Sequence, residues 1–218
     1  MIRTRATRVT DSELRQRTVA LQAASLLLGY PDEALLDQLP TVKAACGLAP
    51  GPAAQCLVQF LTHLTRTPLD DLQAAYVDTF DLRRRCCLYL TYFSHGDTRK
   101  RGMALLRFSH AYRAAGAEFT GGELPDHLPV VCEFAAAVDP DQGLRLLVES
   151  RAGLELLRRA LAEAQSPYLL VLDAICAVLP PAAARDLDRA MELARTGPPE
   201  EEVGLEPYGP PESMGGRR

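Results

Sequence analysis

The chain has 218 residues, of which 47% are hydrophobic and 24% charged, and it carries a net charge of −4. This length provides one large domain or two small ones, and the composition excludes extensive disorder and a small disulfide scaffold. The acidic balance argues against a general nucleic-acid binder that is held by phosphate contacts.

The sequence contains no segment that predicts export or membrane insertion. Residues 1–17 include five arginines but no apolar region that would form a signal peptide. The most apolar stretches, residues 19–28 and 168–179, are shorter than the ~18 residues of a membrane span. We therefore predict a cytoplasmic protein. Its six cysteines are expected to be reduced, and their spacing lacks the close pairs of structural zinc sites.

Helix signals dominate the first half of the chain. Thr10 or Asp11 can cap a helix that ends near Gly29, and a short helix is predicted from Pro31 to Leu39. Residues 43–52 are predicted as a loop, followed by helices at 53–64 and 68–80. The apolar run at 86–93 is ambiguous by periodicity. We interpret it as a helix because its neighbours are helical.

The second half continues in the same way. Helices are predicted from residue 97 to 116, 127 to 138, 142 to 150 with a continuation at 153 to 164, 167 to 179 and 182 to 194. From Thr196 the composition changes to Gly, Pro and Glu. The sequence thus predicts an all-α protein with one helical domain at 10–195 and a flexible acidic tail at 196–218 that is dispensable for folding.

No catalytic signature is visible. The four histidines lie in different segments, and the patterns HExxH, GxSxG, Walker A and GxGxxG do not occur. Cys86 and Cys87 are adjacent, so on a helix their side chains point about 100° apart, which favours two packed thiols over a redox pair. We predict that the protein is not an enzyme and has no metal site.

Residues 76–112 combine aromatic and basic side chains. They contain seven of the 13 aromatic residues, interleaved with Arg83, Arg84, Arg85, Arg99, Lys100 and Arg101. Three interpretations are open: a core with solvated arginines, a surface that stacks single-stranded RNA, and a peptide groove with apolar walls and a charged rim. The chemistry of the residues alone does not choose among them.

Residue order gives a more specific indication. The string YVDTFDLRRRCCLYLTYFSHGDTRKRGMALLRF at 76–108 and the string ELPDHLPVVCEFAA at 123–136 closely resemble the NarJ family. This family comprises the nitrate reductase delta subunits, or molybdenum cofactor assembly chaperones. Glu123, Asp126 and His127 fit the E-x-x-D-H pattern that it shares with the wider TorD/DmsD chaperone superfamily. Residues 26–31, LLLGYP, resemble the start of the family.

The resemblance implies a single-domain helical bundle that acts as a dedicated chaperone. Its client would be the apo catalytic (alpha) subunit of a respiratory nitrate reductase, bound through a remnant twin-arginine-like N-terminal segment. The chaperone would keep that subunit competent for insertion of bis-molybdopterin guanine dinucleotide and for membrane assembly.

The same resemblance implies the chaperone's other properties. It would hold no cofactor permanently, bind no nucleic acid, be a monomer or weak homodimer, and reach the inner face of the membrane only through the client. The alternatives are an RNA-binding protein and a nucleotide-dependent, cofactor-handling protein.

We expect the client to bind as an amphipathic helix between residues 89–93 and the helix that starts at Asp126. For Asp126, a helix N-cap and a contact to the client are both open, and for Arg83 to Arg85 a solvated loop and a client contact are both open. The residues that we expect to bind the client are Arg83, Arg84, Tyr89, Leu90, Phe93, Glu123, Asp126 and His127.

Overall fold

A computed structural model describes residues 10–120 and 122–197. Within these ranges the chain forms eleven α-helices: α1 (Asp11–Leu27), α2 (Glu33–Leu48), α3 (Pro52–Arg66), α4 (Leu69–Tyr76), α5 (Tyr92–His95), α6 (Arg99–Ala114), α7 (Leu128–Glu133), α8 (Pro140–Glu149), α9 (Arg151–Glu163), α10 (Leu169–Val178) and α11 (Ala184–Thr196). Two π-helical turns, Val77–Asp81 and Phe134–Val138, extend α4 and α7, and Arg84–Cys86 forms a 3-10 turn. The predicted all-α class is confirmed.

Side-chain caps explain where several helices begin. Thr10 and Glu13 form a capping box at the start of α1, in which each side chain accepts a hydrogen bond from the other's backbone N–H. The Asp32 carboxylate accepts a hydrogen bond from the Leu35 N–H at 2.8 Å, and Asp139 caps α8 in the same way. These caps satisfy backbone donors that have no partner within the helix.

The core lies where α1, α3, α7 and α10 pack together. Each of these helices contributes side chains that are fully buried, among them Leu21, Phe60, Leu128 and Ile175. Burial of such side chains is the main favourable contribution to folding. None of the described helices is long and apolar enough to cross a membrane.

Helix α2 is longer than the sequence predicted. It continues through the expected loop at 43–52 as far as Leu48, and it includes Pro40. Its buried residues are spaced four, three and four apart: Leu35, Leu39, Val42 and Cys46. This helical stripe packs on both sides of Pro40, so tertiary burial outweighs the hydrogen bond that proline removes.

Residues 86–93 do not form the single helix that we predicted. After the 3-10 turn the chain is extended, and Tyr89 forms an isolated antiparallel bridge with His127. The backbone finds its hydrogen-bond partners in the distant turn before α7, a pairing that local periodicity does not reveal.

The C-terminal helix passes the predicted start of the tail. Helix α11 ends at Thr196, which we had assigned to the tail. The predicted flexible tail from residue 198 onward lies outside the described residues.

Candidate functional site

The E-x-x-D-H motif lies against residues 87–93, here called the 87–93 segment, which run from the extended chain around Tyr89 through a turn into the start of α5. The Leu90 N–H donates to the Asp126 carbonyl at 3.1 Å, and the Leu128 N–H donates to the Leu88 carbonyl at 2.9 Å. The Tyr112 hydroxyl donates to the Pro125 carbonyl at 2.5 Å. The start of α7 is therefore tied both to the 87–93 segment and to α6.

Asp126 is the centre of this arrangement. Its side chain is 0% exposed, and its Oδ2 accepts hydrogen bonds from the Thr91 N–H at 2.9 Å and the Thr91 hydroxyl at 2.6 Å. Arg101 Nη2 lies 3.9 Å from the same oxygen, whereas Oδ1 has no hydrogen-bond partner among the described residues. A buried carboxylate held in this way fixes the backbone of the 87–93 segment.

Neither alternative for the Asp126 side chain matches this geometry. The N-cap of α7 is His127, and no side chain donates or accepts a capping hydrogen bond there. In the structure the carboxylate is fully buried, so it presents no surface to a client. Asp126 is thus a positioning residue for the 87–93 segment.

The rest of the motif packs on Tyr89. The Tyr89 hydroxyl donates to Glu123 Oε2, and the Tyr89 ring lies 5.1 Å from the ring of His127. The Arg101 guanidinium covers the Tyr89 ring at 5.5 Å and the Tyr92 ring at 5.9 Å, as in cation–π contacts. Burial and the Glu123 carboxylate raise the pKa of Tyr89, so its hydroxyl stays protonated and can donate.

The adjacent thiols are not activated. Burial raises the pKa of Cys86 and also that of Cys87, although Arg83 near the first and Arg101 near the second oppose this shift. Both thiols are therefore protonated at neutral pH, which makes them poor nucleophiles. The described residues contain no group of three or more His, Cys, Asp or Glu side chains that could hold a metal ion.

Tyr92 and Phe93, at the end of the 87–93 segment, border a cavity of about 470 Å³, here called the arginine-rimmed groove. Its apolar walls come from α5, α9 and α11 and consist of Tyr92, Phe93, Leu156, Ala160, Leu193 and Ala194. Its charged lining residues are Arg84, Arg85, Arg159, Glu163 and Arg195. Arg159 and Glu163 pair with each other at 2.9 Å, whereas no described carboxylate lies within 4.0 Å of Arg84 or Arg85.

The structure separates the eight predicted client-binding residues into four groups. Arg84 and Phe93 line the arginine-rimmed groove, and Arg83 pairs with Asp78 at 2.7 Å. Leu90 is only 2% exposed, so its side chain packs in the core and does not line the groove. The remaining residues, Tyr89, Glu123, Asp126 and His127, form the cluster that positions the 87–93 segment.

The second wall of the groove also differs from the expectation. We expected the helix that starts at Asp126, but the wall is formed by α9 and α11. The residues missed by the sequence analysis include Leu156, Arg159 and Ala160 of α9. Arg85 and Tyr92 lie in the ranges 83–85 and 89–93 that were considered for client contact, but they were not among the eight predicted residues. The sequence predicted α9 and α11 as helices from the residues near their starts, a local signal that does not indicate what the helices pack against.

Three histidines make stability depend on pH. Burial lowers the pKa of His63, His95 and His127; nearby Arg189 lowers that of His95 further, and the carboxylates near His127 only partly oppose the effect. Below an unfolded-state pKa of about 6.5 the unfolded chain binds more protons than the folded one. The free energy of unfolding should therefore fall as the pH drops from about 7.5 to about 5.5.

Urea unfolding followed by circular dichroism across this pH range tests the prediction. The variant His127→Gln should weaken the pH dependence, and His110→Gln, at an exposed position of α6, is the control. A free energy of unfolding that is constant or rises towards pH 5.5 would contradict it.

Comparison with known proteins identifies the family. The sequence model described as "Nitrate reductase delta subunit" matches residues 48–172. The chain belongs to the nitrate reductase delta subunit family. The match includes the E-x-x-D-H motif, the 87–93 segment and α9, and it ends before α11 begins. The resemblance to the NarJ family is confirmed.

Individual relatives agree with this assignment. The chain is 33% identical over 158 residues to the nitrate reductase molybdenum cofactor assembly chaperone NarJ of Escherichia coli (strain K12). The aligned region covers 71% of this chain and 67% of NarJ. It is 47% identical over 160 residues to the nitrate reductase-like protein NarX of Mycobacterium tuberculosis (strain ATCC 25618 / H37Rv), and this aligned region covers 72% of this chain. The matched region is only 24% of NarX, so this chain spans a fraction of that relative's length.

A solved structure supports the fold. The crystal structure of a protein from Archaeoglobus fulgidus, described as a redox enzyme maturation protein, matches with a TM-score of 0.54 and 27% sequence identity. The match covers 72% of this chain and 90% of the other. The delta subunit family member therefore has the helical architecture of that protein.

Proposed function

We propose that this delta subunit family member is an assembly chaperone for a respiratory nitrate reductase. It binds the apo catalytic (alpha) subunit, including its N-terminal segment, and keeps it competent for insertion of bis-molybdopterin guanine dinucleotide and for membrane assembly. The relative from E. coli is named as a chaperone for molybdenum cofactor assembly in nitrate reductase. In this proposal the cofactor is inserted into the client, and this chain catalyses no reaction of its own.

The arginine-rimmed groove is the observation that carries the proposal. One wall, Tyr92 and Phe93, follows directly from the backbone that Asp126 and Thr91 fix in place. In this proposal the E-x-x-D-H motif acts indirectly, because it holds Tyr92 and Phe93 in place before the client binds. A wall that is already ordered reduces the conformational entropy that binding would otherwise cost.

The chemistry of the groove defines the segment that fits. Apolar side chains at its base suit the apolar face of an amphipathic helix, which supplies affinity by removing that face from water. Arg84 and Arg85 have no carboxylate of the described residues within 4.0 Å, so they can pair with acidic side chains at the edge of such a helix. The positive rim would guide association, and its effect would weaken with salt.

The proposal is tested by blocking the groove in the full-length chain. The variant Ala160→Glu places a longer, charged side chain on the apolar wall contributed by α9. Calorimetry with a synthetic peptide of the alpha subunit's N-terminal segment, from the same organism, should show affinity reduced by about tenfold or more. Binding to the unaltered chain should show a negative heat-capacity change, because apolar area leaves water.

The matched control is Ala75→Glu. It makes the same replacement at an exposed position of α4, outside the groove, and should bind the peptide as the unaltered chain does. If Ala160→Glu folds and binds with unchanged affinity, the peptide does not use this groove. If the unaltered chain does not bind the peptide, recognition of the N-terminal segment is wrong.

A further inference from the structure

Helix α11 is attached to the protein by a narrow contact. It packs mainly on α9, and Ala190 is its only buried residue. Leu187 and Met191, which belong to its apolar face, remain 44% and 59% exposed. The ion pairs that α11 forms with described residues, Arg185 with Asp186 and Arg195 with Glu192, join residues of the helix itself.

An open crevice borders each flank of this contact. On a helix with 3.6 residues per turn, Leu193 projects to one side of Ala190 and Met191 to the other. Leu193 lines the arginine-rimmed groove of about 470 Å³, and Met191 lines a second crevice of about 510 Å³. Leu156 of α9 and Ala194 of α11 line both. The surface of α9 is therefore wider than the helix that covers it.

The connection to α11 can act as a hinge. Helix α10 ends at Val178, and Pro180 and Pro181 interrupt the helical structure before α11. The Pro180 carbonyl accepts a hydrogen bond from Arg151 at 3.3 Å, so the chain is anchored to α9 at that point. The next capping contact, from the Ala183 N–H to the Asp186 carboxylate at 3.2 Å, already belongs to α11.

We infer that α11 occupies part of the client site as an internal substitute for the client's helix, and that the client displaces it. This inference rests on the proposed function. The partner it defines is an amphipathic helix with apolar side chains spaced i, i+3, i+4 and i+7, the spacing of Leu187, Ala190, Met191 and Ala194. Client residues larger than alanine at the positions equivalent to Ala190 and Ala194 would fill the crevices that α11 leaves open. The client helix would therefore bury more apolar surface than α11 does.

Displacement lowers the apparent affinity of the client, because only the fraction of molecules with α11 detached can bind. The delta subunit family match ends at residue 172, so it includes α9 but not α11. The matched region thus includes the surface of α9, and α11 acts as a cover that sets how readily this surface is available. A client that binds tightly can remove this cover, and a weaker apolar segment cannot.

The variant Ala190→Asp in the full-length chain tests this inference. A carboxylate at the only buried position of α11 weakens its contact with α9, and the residue leaves the site when α11 is displaced. With the synthetic peptide of the alpha subunit's N-terminal segment, we expect about tenfold tighter binding. This is the gain when the fraction of molecules with α11 detached rises from about 0.1 towards 1. Ala184→Asp, at an exposed position of the same helix, should leave the affinity unchanged.

Hydrogen exchange on the unaltered chain provides a second measurement. The backbone amides of α11 should exchange faster when the peptide is bound, while those of α9 become more protected. The inference is overturned if the unaltered chain binds the peptide, Ala190→Asp does not bind it more tightly and α11 stays protected; the proposed function would survive that result. If neither chain binds the peptide, the proposed recognition of that segment fails, and this inference fails with it.

Discussion

The variant Gly143→Ala is expected to lose about 3 kcal/mol of unfolding free energy, at the upper end of the cost of overpacking. A Cβ atom at residue 143 would lie 2.3 Å from both the Cα and the Cβ of Ala135 and 2.8 Å from its backbone nitrogen. These atoms belong to the π-helical turn that extends α7, so the steric clash can be removed only by a shift of the backbone. Alanine normally favours a helix by about 1 kcal/mol over glycine, but this gain is smaller than the steric cost.

Gly102→Ala is the matched control. Gly102 lies inside α6 and is exposed, and apart from its chain neighbours and the adjacent backbone of its own helix no heavy atom lies within 4 Å of the position that a Cβ would take. This variant should gain about 0.5 to 1 kcal/mol. Urea unfolding of both variants, followed by circular dichroism, measures the difference. A Gly143→Ala protein as stable as the original would show that α8 and the turn after α7 are not packed as closely as described.

The second large effect is expected for Asp126→Ala, which should also cost about 3 kcal/mol. The change removes the acceptor of two Thr91 hydrogen bonds and leaves the largely buried Arg101 with Asp97 as its remaining carboxylate. Thr91→Val removes the hydroxyl, which donates to Asp126 and accepts a hydrogen bond from Arg101 Nε at 3.1 Å. It keeps the backbone N–H and should cost about 1 kcal/mol. Unfolding free energies of both variants and the double variant test whether the two residues act as a pair.

The functional consequence of Asp126→Ala separates positioning from direct contact. Because Asp126 is buried, we expect loss of peptide affinity to accompany a loosened 87–93 segment, seen as faster hydrogen exchange there. Unaltered stability with abolished binding would instead indicate that the client reaches this carboxylate.

Local sequence signals predicted those parts of the fold that depend on local chemistry. The capping residue Thr10 and the breaks near Gly29 and Pro68 gave helix positions close to those of α1 and α4. The same signals were misleading at Pro40, where a buried stripe on both sides outweighs the lost hydrogen bond. They also failed at residues 86–93, because the partner of Tyr89 is His127, which is distant in sequence.

The candidate site shows a similar division. Resemblance identified Glu123, Asp126 and His127, yet it did not show that the Asp126 carboxylate is buried under Thr91 and Arg101. The groove itself depends on how α9 and α11 meet the 87–93 segment. An amphipathic pattern determines which face of each helix is apolar, whereas the packing partner is decided by tertiary contacts.

The molybdenum content of the nitrate reductase alpha subunit, purified from nitrate-respiring cells, tests the central claim most directly. Cells that lack this chain should yield alpha subunit with little molybdenum. The unaltered chain and Ala75→Glu should restore the metal, whereas Ala160→Glu should not. An alpha subunit with full molybdenum content in cells without this chain would contradict the account.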